Sequence, residues 1–379
     1  MSGICRRPDL RPIAGCRLDQ HIHMIRGLPF MHRRTFLKTA LSLGIGTLPF
    51  LSAKGASPLE SPLLAAAYGK IPGANSIQRI VSAGPIADVL LVSLAPGKLV
   101  GISTPGIPDD HKKYLSDTVR NLPYTGRLAG RASTFPMESL LELKPDIIVD
   151  VGSTSASYTS TAERVHQQTG IPYVLISGRL ADSDGQLRLL GEMLGAPDNG
   201  KPLADFAQSV LSAARTVQEK NHVAPSMFFG RGADGLETGL AGSMHTEVMD
   251  RLGARNVAAA AGKDLIARIS MEQLIAWDPD VILTQDANFF QRLQTEKIWK
   301  DYRAVRQGRY HLVPSVPFGW MDHPPCINRL LGLLWGMHAF YPEQWPLERY
   351  RQEVIRYFDL FYGYALRPEE LSAIDGFKS

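Results

Sequence analysis

Several loops that follow apolar, strand-like stretches carry arginine, hydroxyl or aromatic side chains. Arg127 follows a short stretch that ends at Gly126, and Arg231 comes soon after the apolar stretch 226–229. The other candidate ligand contacts are Thr104, Ser153, Phe318 and Trp320. Arginine pairs with carboxylate or phosphate-like oxygens, and tryptophan offers a flat apolar face, so this set suits a bulky ligand with anionic oxygens. The alternative is that the rings pack in the core and the arginines are surface charges.

The same residues show no recognisable catalytic set. The sequence has no P-loop, H-E-x-x-H, G-x-S-x-G or C-x-x-C, and its histidines are scattered without metal-ligand spacing. Residues 230–235 match G-x-G-x-x-G, but a dinucleotide site needs a helix next, and Gly239 and Gly242 extend the loop instead. We therefore expect a binding protein with no catalytic residue, bound metal or cofactor. A cofactor-binding oxidoreductase remains the alternative from another class.

Apolar stretches alternate with helical ones and predict the sheets that position these loops. In the first half the strand-like stretches are 79–82, 99–103, 147–149 and 173–176, and in the second half they are 226–229, 281–284 and 310–313. Apolar strands that alternate with helices indicate parallel sheets covered on both faces. Ligands of such sheets bind beyond the carboxyl ends of the strands, where the candidate residues lie.

A long-range repeat predicts two lobes. Residues 137–150 (MESLLELKPDIIVD) and 271–284 (MEQLIAWDPDVILT) share six of fourteen positions at a separation of 134 residues. This separation suits a duplicated domain, and residues 183–220 between the copies have helical spacing and no strand. We predict an α/β fold of two Rossmann-like lobes with parallel sheets, joined by a long rigid helix. The predicted divisions are a flexible linker (54–76), an N-terminal lobe (77–182), a helical spacer (183–222) and a C-terminal lobe (223–379).

The N-terminus has the pattern of an export signal. Arg33 and Arg34 precede Phe, Leu and Lys, and an apolar run over 40–52 ends in small residues. This pattern predicts a twin-arginine (Tat) signal peptide with an upstream extension over 1–53, and hence a periplasmic protein. Met24 and Met31 are alternative starts to Met1, and the cleavage site is open.

Removing the leader changes the overall charge. Residues 1–53 hold eight of the 41 basic and two of the 37 acidic residues, so 33 basic and 35 acidic residues remain. The basic character therefore belongs to the leader, and nucleic acid is not an expected partner. Cys326 is the only cysteine after residue 53, which excludes an internal disulfide in the mature chain.

The repeat and one further segment resemble a known family. The pattern E-x-L-x-x-L-x-P-D-I-I-V begins at Glu138 and returns in variant form at Glu272, and residues 252–258 read LGARNVA, with Ala254 at a usual glycine. Together with the signal peptide and the helical spacer, they resemble the helical-backbone substrate-binding proteins of ABC importers for ferric siderophores, haem and cobalamin. The resemblance covers roughly residues 77–345.

This resemblance implies a carrier that docks on an ABC importer permease dimer after export by the Tat machinery. In the family, one glutamate on each lobe binds permease arginines, which assigns Glu138 and Glu272 to docking. The alternative is that both merely stabilise helix starts. We expect an iron chelate of the ferric-siderophore type as ligand. A molybdate or tungstate oxyanion, haem and cobalamin stay open, because ligand contacts vary within the family.

Overall fold

The computed structural model describes residues 61–130, 133–221, 225–263 and 266–377. The predicted export signal lies outside these residues. The strands are β1 (Leu64–Tyr68), β2 (Ile80–Ser82), β3 (Ile147–Gly152), β4 (Tyr173–Ser177), β5 (Ser226–Gly230), β6 (Glu237–Gly239), β7 (Arg255–Asn256), β8 (Ile266–Arg268), β9 (Val281–Thr284) and β10 (Tyr310–Leu312). The α-helices are α1 (Pro85–Leu94), α2 (Asp109–Lys112), α3 (Asp117–Arg120), α4 (Met137–Glu142), α5 (Ala156–Thr169), α6 (Ser183–Met193), α7 (Pro197–Lys220), α8 (Glu247–Arg251), α9 (Met271–Trp277), α10 (Ala287–Thr295), α11 (Arg303–Arg306), α12 (Arg329–Phe340), α13 (Leu347–Tyr362) and α14 (Pro368–Asp375).

Two four-stranded sheets confirm the predicted α/β fold with parallel strands. The first has the order β1-β4-β3-β2, in which β2, β3 and β4 are parallel. The second has the order β10-β9-β5-β7 and is parallel throughout. The central strands β3 and β5 are buried along their whole length, as expected for sheets covered on both faces.

Two predictions for the first lobe need correction. Residues 64–68, placed in the flexible linker over 54–76, form β1 and pair antiparallel with β4. The residues of β1 alternate between half-buried and exposed. This short strand pairs with the edge of β4, which would otherwise be open. The predicted strand over 99–103 is reduced to single bridges at Leu99 and Ile102.

The two repeat copies have the same turn. Lys144 and Asp278, at equivalent positions, both have positive φ angles, of 44° and 36°. Each turn leads to Pro-Asp, whose carboxylate accepts hydrogen bonds from the start of a neighbouring strand. Asp146 accepts the Arg79 N–H at 2.8 Å, and Asp280 accepts the Ser226 N–H at 2.8 Å. The repeated aspartate therefore positions β2 against β3 in one lobe and β5 against β9 in the other.

The helices between and after the two sheets form a common core. α6 and α7 occupy the predicted spacer, and α7 alone has 24 residues, roughly 36 Å of helix. The sequence predicts that the C-terminal helix α13 belongs to the second lobe. Its aromatic side chains instead pack on elements that come earlier in the chain. Phe358 contacts Tyr114 with ring centroids 5.7 Å apart, and Tyr357 contacts Phe206 of α7 at 5.9 Å. Burial of these rings therefore ties the C-terminus to the first lobe and the spacer.

No helix among the described residues combines the length and apolar content needed to cross a membrane.

Candidate ligand-binding cleft

A cleft of about 790 Å³ lies where the two lobes face each other. The first lobe contributes the ends of β3 and β4, the loops after them and the start of α5, and the second contributes residues 242–245, Glu247 and Ile266. The lining residues are Gly152, Ser153, Thr154, Ser155, Ser157, Tyr158, Ser177, Arg179, Gly242, Ser243, Met244, His245, Glu247 and Ile266. A smaller cavity of about 370 Å³ is lined largely by α1, α3, α7 and α13 and their loops, away from the strand ends.

Hydroxyl groups and a helix start form the wall of the first lobe. Ser155 precedes α5 but makes no side-chain cap, and its hydroxyl lies 3.0 Å from that of Ser157. The Ser153 hydroxyl accepts the Ser155 N–H at 3.3 Å. At the floor, a Cβ on Gly178 would lie 2.6 Å from the Gly152 Cα, so only glycine allows the ends of β3 and β4 to approach this closely.

A buried acid lies within the first sheet. Asp150 on β3 accepts a hydrogen bond from the Tyr173 hydroxyl at 3.0 Å. Burial disfavours the charged carboxylate and raises the pKa of Asp150 to about 6, against the lowering effect of that hydrogen bond. The equivalent position of the second lobe is Thr284, which is equally buried but has no charge to lose.

The wall of the second lobe rests on a buried ionic network. His245 lines the cleft, and its Nδ1 lies 2.7 Å from Oδ1 of the fully buried Asp322. Arg231 Nε donates to the other Asp322 oxygen at 2.5 Å. Burial acts to raise the pKa of Asp322, but the His245 hydrogen bond and the nearby cations outweigh it and hold this pKa well below its usual range. Asp322 is therefore an anion that fixes the His245 ring.

The sequence predicted that Arg231 contacts the ligand, but Arg231 does not line the cleft. Besides Asp322, its guanidinium donates to Glu237 and lies 3.1 Å from His323 Nε2. Only 8% of Arg231 is exposed, so this buried cation neutralises Asp322 and acts on the cleft only through His245.

The other predicted ligand residues lie mostly outside the cleft. Ser153 lines it, but the Thr104 N–H and hydroxyl both donate to the buried Asp88, at 2.7 and 2.6 Å. Phe318 and Trp320 are buried, and the Trp320 ring N–H donates to the Val316 carbonyl at 2.8 Å. Core packing thus accounts for both rings, and neither face is available in this structure.

Arg127 is half-buried, and its backbone anchors the segment that precedes α4. Its carbonyl accepts the N–H of Thr134 at 2.8 Å and of Phe135 at 3.2 Å, and its own N–H donates to the Thr134 hydroxyl. It does not belong to the lining of the cleft.

Sequence reasoning did not identify Arg179 and His245 as residues that line the cleft. Arg179 comes two residues after β4, so the strand-end rule identifies it once that loop is included. His245 follows no strand of the main sheets, and only its contact with Asp322, 77 residues away, singles it out.

A buried ion pair joins the two walls beneath the cleft. Arg329, at the start of α12, donates to Glu247 at 2.7 Å and to the Gly178 carbonyl at 2.6 Å. Glu247 also accepts the Leu180 N–H at 2.7 Å. Burial lowers the pKa of Arg329, and the negative charge of Glu247 opposes this effect. One guanidinium therefore connects the end of β4 with the start of α8.

The predicted docking glutamates are exposed and lie outside the cleft. Glu138 and Glu272 are each the second residue of a short helix, α4 and α9 respectively. A capping box begins α9, with Ser270 and Gln273 bonded to each other's backbone N–H. Hydrogen bonds from its own backbone N–H and from the Ser270 hydroxyl lower the pKa of Glu272.

The glycine-rich loop has a packing role. A Cβ on Gly235 would lie 2.2 Å from the ring of Phe289, and one on Gly230 would lie 2.5 Å from it. The chain then enters β6 rather than a helix, so the dinucleotide-binding geometry is absent from this described loop. This loop therefore gives no support to the alternative of a cofactor-binding oxidoreductase.

Comparison with known proteins agrees with this geometry. A family model described as periplasmic binding protein matches residues 88–317. The molybdate-binding protein MolA of Haemophilus influenzae is 27% identical over 297 residues, which are 70% of this chain and 81% of MolA. The Fe(3+)-citrate-binding protein YfmC of Bacillus subtilis is 22% identical over 220 residues, 56% of this chain and 67% of YfmC.

Solved structures show the same fold. An ABC transporter solute binding protein from Sulfurospirillum deleyianum is 26% identical, with a TM-score of 0.72 over 79% of this chain and 94% of that one. MolA with bound molybdate is 22% identical, with a TM-score of 0.64 over 79% and 96% of the two chains. The chain therefore belongs to the periplasmic binding protein family, the non-enzymatic solute-binding components of ABC importers, which act in the periplasm with a membrane permease.

Proposed function

We propose that this protein captures a small oxyanion of the molybdate class in the cleft and delivers it to its permease. The observation that carries the proposal is the lining, which combines hydroxyl groups of both lobes with Arg179 and the imidazole of His245. Hydroxyl, guanidinium and imidazole groups donate the hydrogen bonds that anionic oxygens accept. Among the described lining residues, the larger apolar or aromatic side chains are Tyr158, Met244 and Ile266, and most of the others carry polar groups.

The start of α5 supports an anionic ligand. The first N–H groups of a helix have no partner within the helix, and α5 begins without a side-chain cap. These N–H groups can donate to an anion, and the helix dipole favours negative charge at this end. The adjacent hydroxyls of Ser155 and Ser157 can turn toward the same ligand. The similarity to MolA, by its name a molybdate-binding protein, points the same way.

The size of the cleft favours a second candidate, the iron chelate expected from the sequence. Its volume of about 790 Å³ falls in the range of roughly 300–1,000 Å³ that holds drug-sized ligands. A ferric complex with free carboxylates would use the same donors, and YfmC is by its name a Fe(3+)-citrate-binding protein. Such a chelate would fill the cleft, whereas a bare oxyanion requires the lobes to approach each other.

Delivery is proposed to proceed through the two exposed glutamates. Glu138 and Glu272 project from equivalent helices on separate lobes, outside the cleft, so a permease could bind both while the ligand is still held. Export by the Tat machinery is proposed from Arg33 and Arg34, and folding before export would let this two-lobed core form in the cytoplasm.

Calorimetric titration of the purified exported protein tests the ligand. We expect molybdate and tungstate to bind with a Kd below about 10 μM, about −7 kcal/mol, and sulfate, haem and cobalamin to bind far more weakly. Binding of ferric citrate alone would replace the first candidate with the second. Failure of every ligand in the set would contradict both.

Arg179→Gln tests the site itself. Its side chain is 64% exposed and lies 3.6 Å from Glu247. The guanidinium can therefore reach a ligand, and its replacement should leave the core intact. We expect affinity for the anion to fall about 10–100-fold, the range of a lost charge-assisted hydrogen bond. The matched control is Arg215→Gln on α7, which removes an exposed arginine outside the cleft and should leave affinity unchanged. Equal affinities for the two variants would exclude Arg179 from the site.

A further inference from the structure

Two exposed aliphatic side chains occupy the same position of the two repeat copies. Leu141 on α4 is 48% exposed, and Ile275 on α9 is 57% exposed. They are 134 residues apart, the separation of the repeat. Single exposed aliphatic residues are ordinary on protein surfaces. Exposure of this kind at equivalent places in both lobes calls for a common cause.

Neither Leu141 nor Ile275 belongs to the hydrophobic core of the described residues. The preceding residues, Leu140 and Leu274, are wholly buried and supply the core contact of each helix. A polar residue with good helix propensity, such as glutamine, would fit an exposed helix position equally well. The two aliphatic residues therefore expose about half of their surface to water at positions outside the core.

Each aliphatic residue lies beside a glutamate proposed to dock on the permease. Leu141 follows Glu138 by three residues, and Ile275 follows Glu272 by three. Residues three apart are neighbours on a helix surface, about 5–6 Å between Cβ atoms. Each lobe thus presents one acid and one aliphatic group side by side, outside the cleft.

We propose that Leu141 and Ile275 form the apolar half of the permease-docking surface. Each lobe then offers a glutamate–aliphatic pair to a partner with two equivalent halves, each with a basic group beside an apolar recess. An exposed ion pair alone contributes little affinity, and burial of an aliphatic side chain beside it excludes water from the charges. This inference rests on the proposed docking role of Glu138 and Glu272.

Binding to the importer in its own membrane tests the proposal. The exported, purified protein is fluorescently labelled and titrated onto right-side-out membrane vesicles from a strain of the source bacterium that lacks this gene. The Leu141→Gln/Ile275→Gln double variant should bind at least tenfold more weakly than the unaltered protein. The matched control is Ile298→Gln/Leu312→Gln, which changes two exposed aliphatic residues (52% and 39%) that share no repeat position, and its binding should not change.

A third variant separates failure of this inference from failure of the docking proposal. If Glu138→Gln/Glu272→Gln weakens vesicle binding while the Leu141/Ile275 variant binds like the control, the aliphatic pair is no part of the interface. If neither pair of changes affects binding, docking through these helices is itself wrong. Sedimentation of the free protein gives an independent readout. Loss of a dimer in the Leu141/Ile275 variant without loss of vesicle binding would assign the surface to a second copy of this chain.

Discussion

The two repeat copies resemble each other closely, whereas the two walls of the cleft do not. Each repeat copy has a short helix with an exposed glutamate, a positive-φ turn and an aspartate that holds the neighbouring strand. The facing walls have little in common: one is made of hydroxyl groups and a helix start, the other of an imidazole held by buried charges. The two lobes therefore match in the elements that build the fold and differ in the residues that line the cleft.

Removing the ion pair that joins the walls should have the largest effect. Arg329→Met removes the buried partner of the Glu247 carboxylate and leaves it beside the exposed Arg179, 3.6 Å away; loss of a buried partner typically destabilises a protein by about 3–5 kcal/mol. Urea denaturation followed by circular dichroism measures this loss. The control is Arg215→Met, which breaks the exposed Arg215–Glu219 pair and should change stability by less than about 0.5 kcal/mol. Similar losses in both variants would mean that Arg329 does not hold the walls together.

Removing the titratable group from β3 should have the next largest effect. Burial raises the pKa of Asp150 from 3.8 to about 6, so its contribution to stability is full below about pH 4 and is lost as pH rises through about 6. Asp150→Asn removes this loss and keeps an acceptor for the Tyr173 hydroxyl. The variant should be more stable than the unaltered protein by about 2–3 kcal/mol at pH 7.

The pH profile provides the internal control for this change. Urea midpoints from pH 4 to 7 should diverge between the two proteins as pH rises and converge at pH 4. Parallel profiles would show that Asp150 does not titrate in this window. Thr284→Ser, at the equivalent neutral position of the second lobe, should leave the pH profile unchanged.

The smallest effect should come from the imidazole on the second wall. His245→Gln keeps a polar side chain but loses the ring fixed by Asp322, and we expect ligand affinity to fall about tenfold, about 1.4 kcal/mol. Calorimetry with molybdate measures the change. His338→Gln is the control, since His338 lies on α12 and stacks on Tyr350, away from the cleft. An unchanged Kd for His245→Gln would leave the first wall as the main binding surface.

Local patterns predicted most of the scaffold. Pro85 and the apolar residues after it predict α1, and Ser270 with Gln273 predicts the start of α9, because these signals lie within a few residues of each other. Residues 64–68 were missed, since a short Ala-rich stretch becomes a strand only when β4 is present to pair with it.

The candidate site was less predictable. The rule that ligands bind at strand ends placed Ser153 correctly in the cleft, but it did not reveal how each side chain would be used. Arg231 and Trp320 also follow strands, and burial turned one into a counter-ion and the other into core. A sequence pattern does not show whether an arginine will meet a ligand or an aspartate 91 residues away.

By itself, the sequence determined that two duplicated α/β lobes are joined by a long helical segment and that matching glutamates lie on the two lobes. These features rest on periodicity, capping and repetition, all of which are encoded within short segments. Only the tertiary structure decided which polar groups line the cleft and which neutralise each other beneath it. That choice depends on burial and on distances between residues far apart in the chain, because a charge removed from water must find its partner wherever the fold places one.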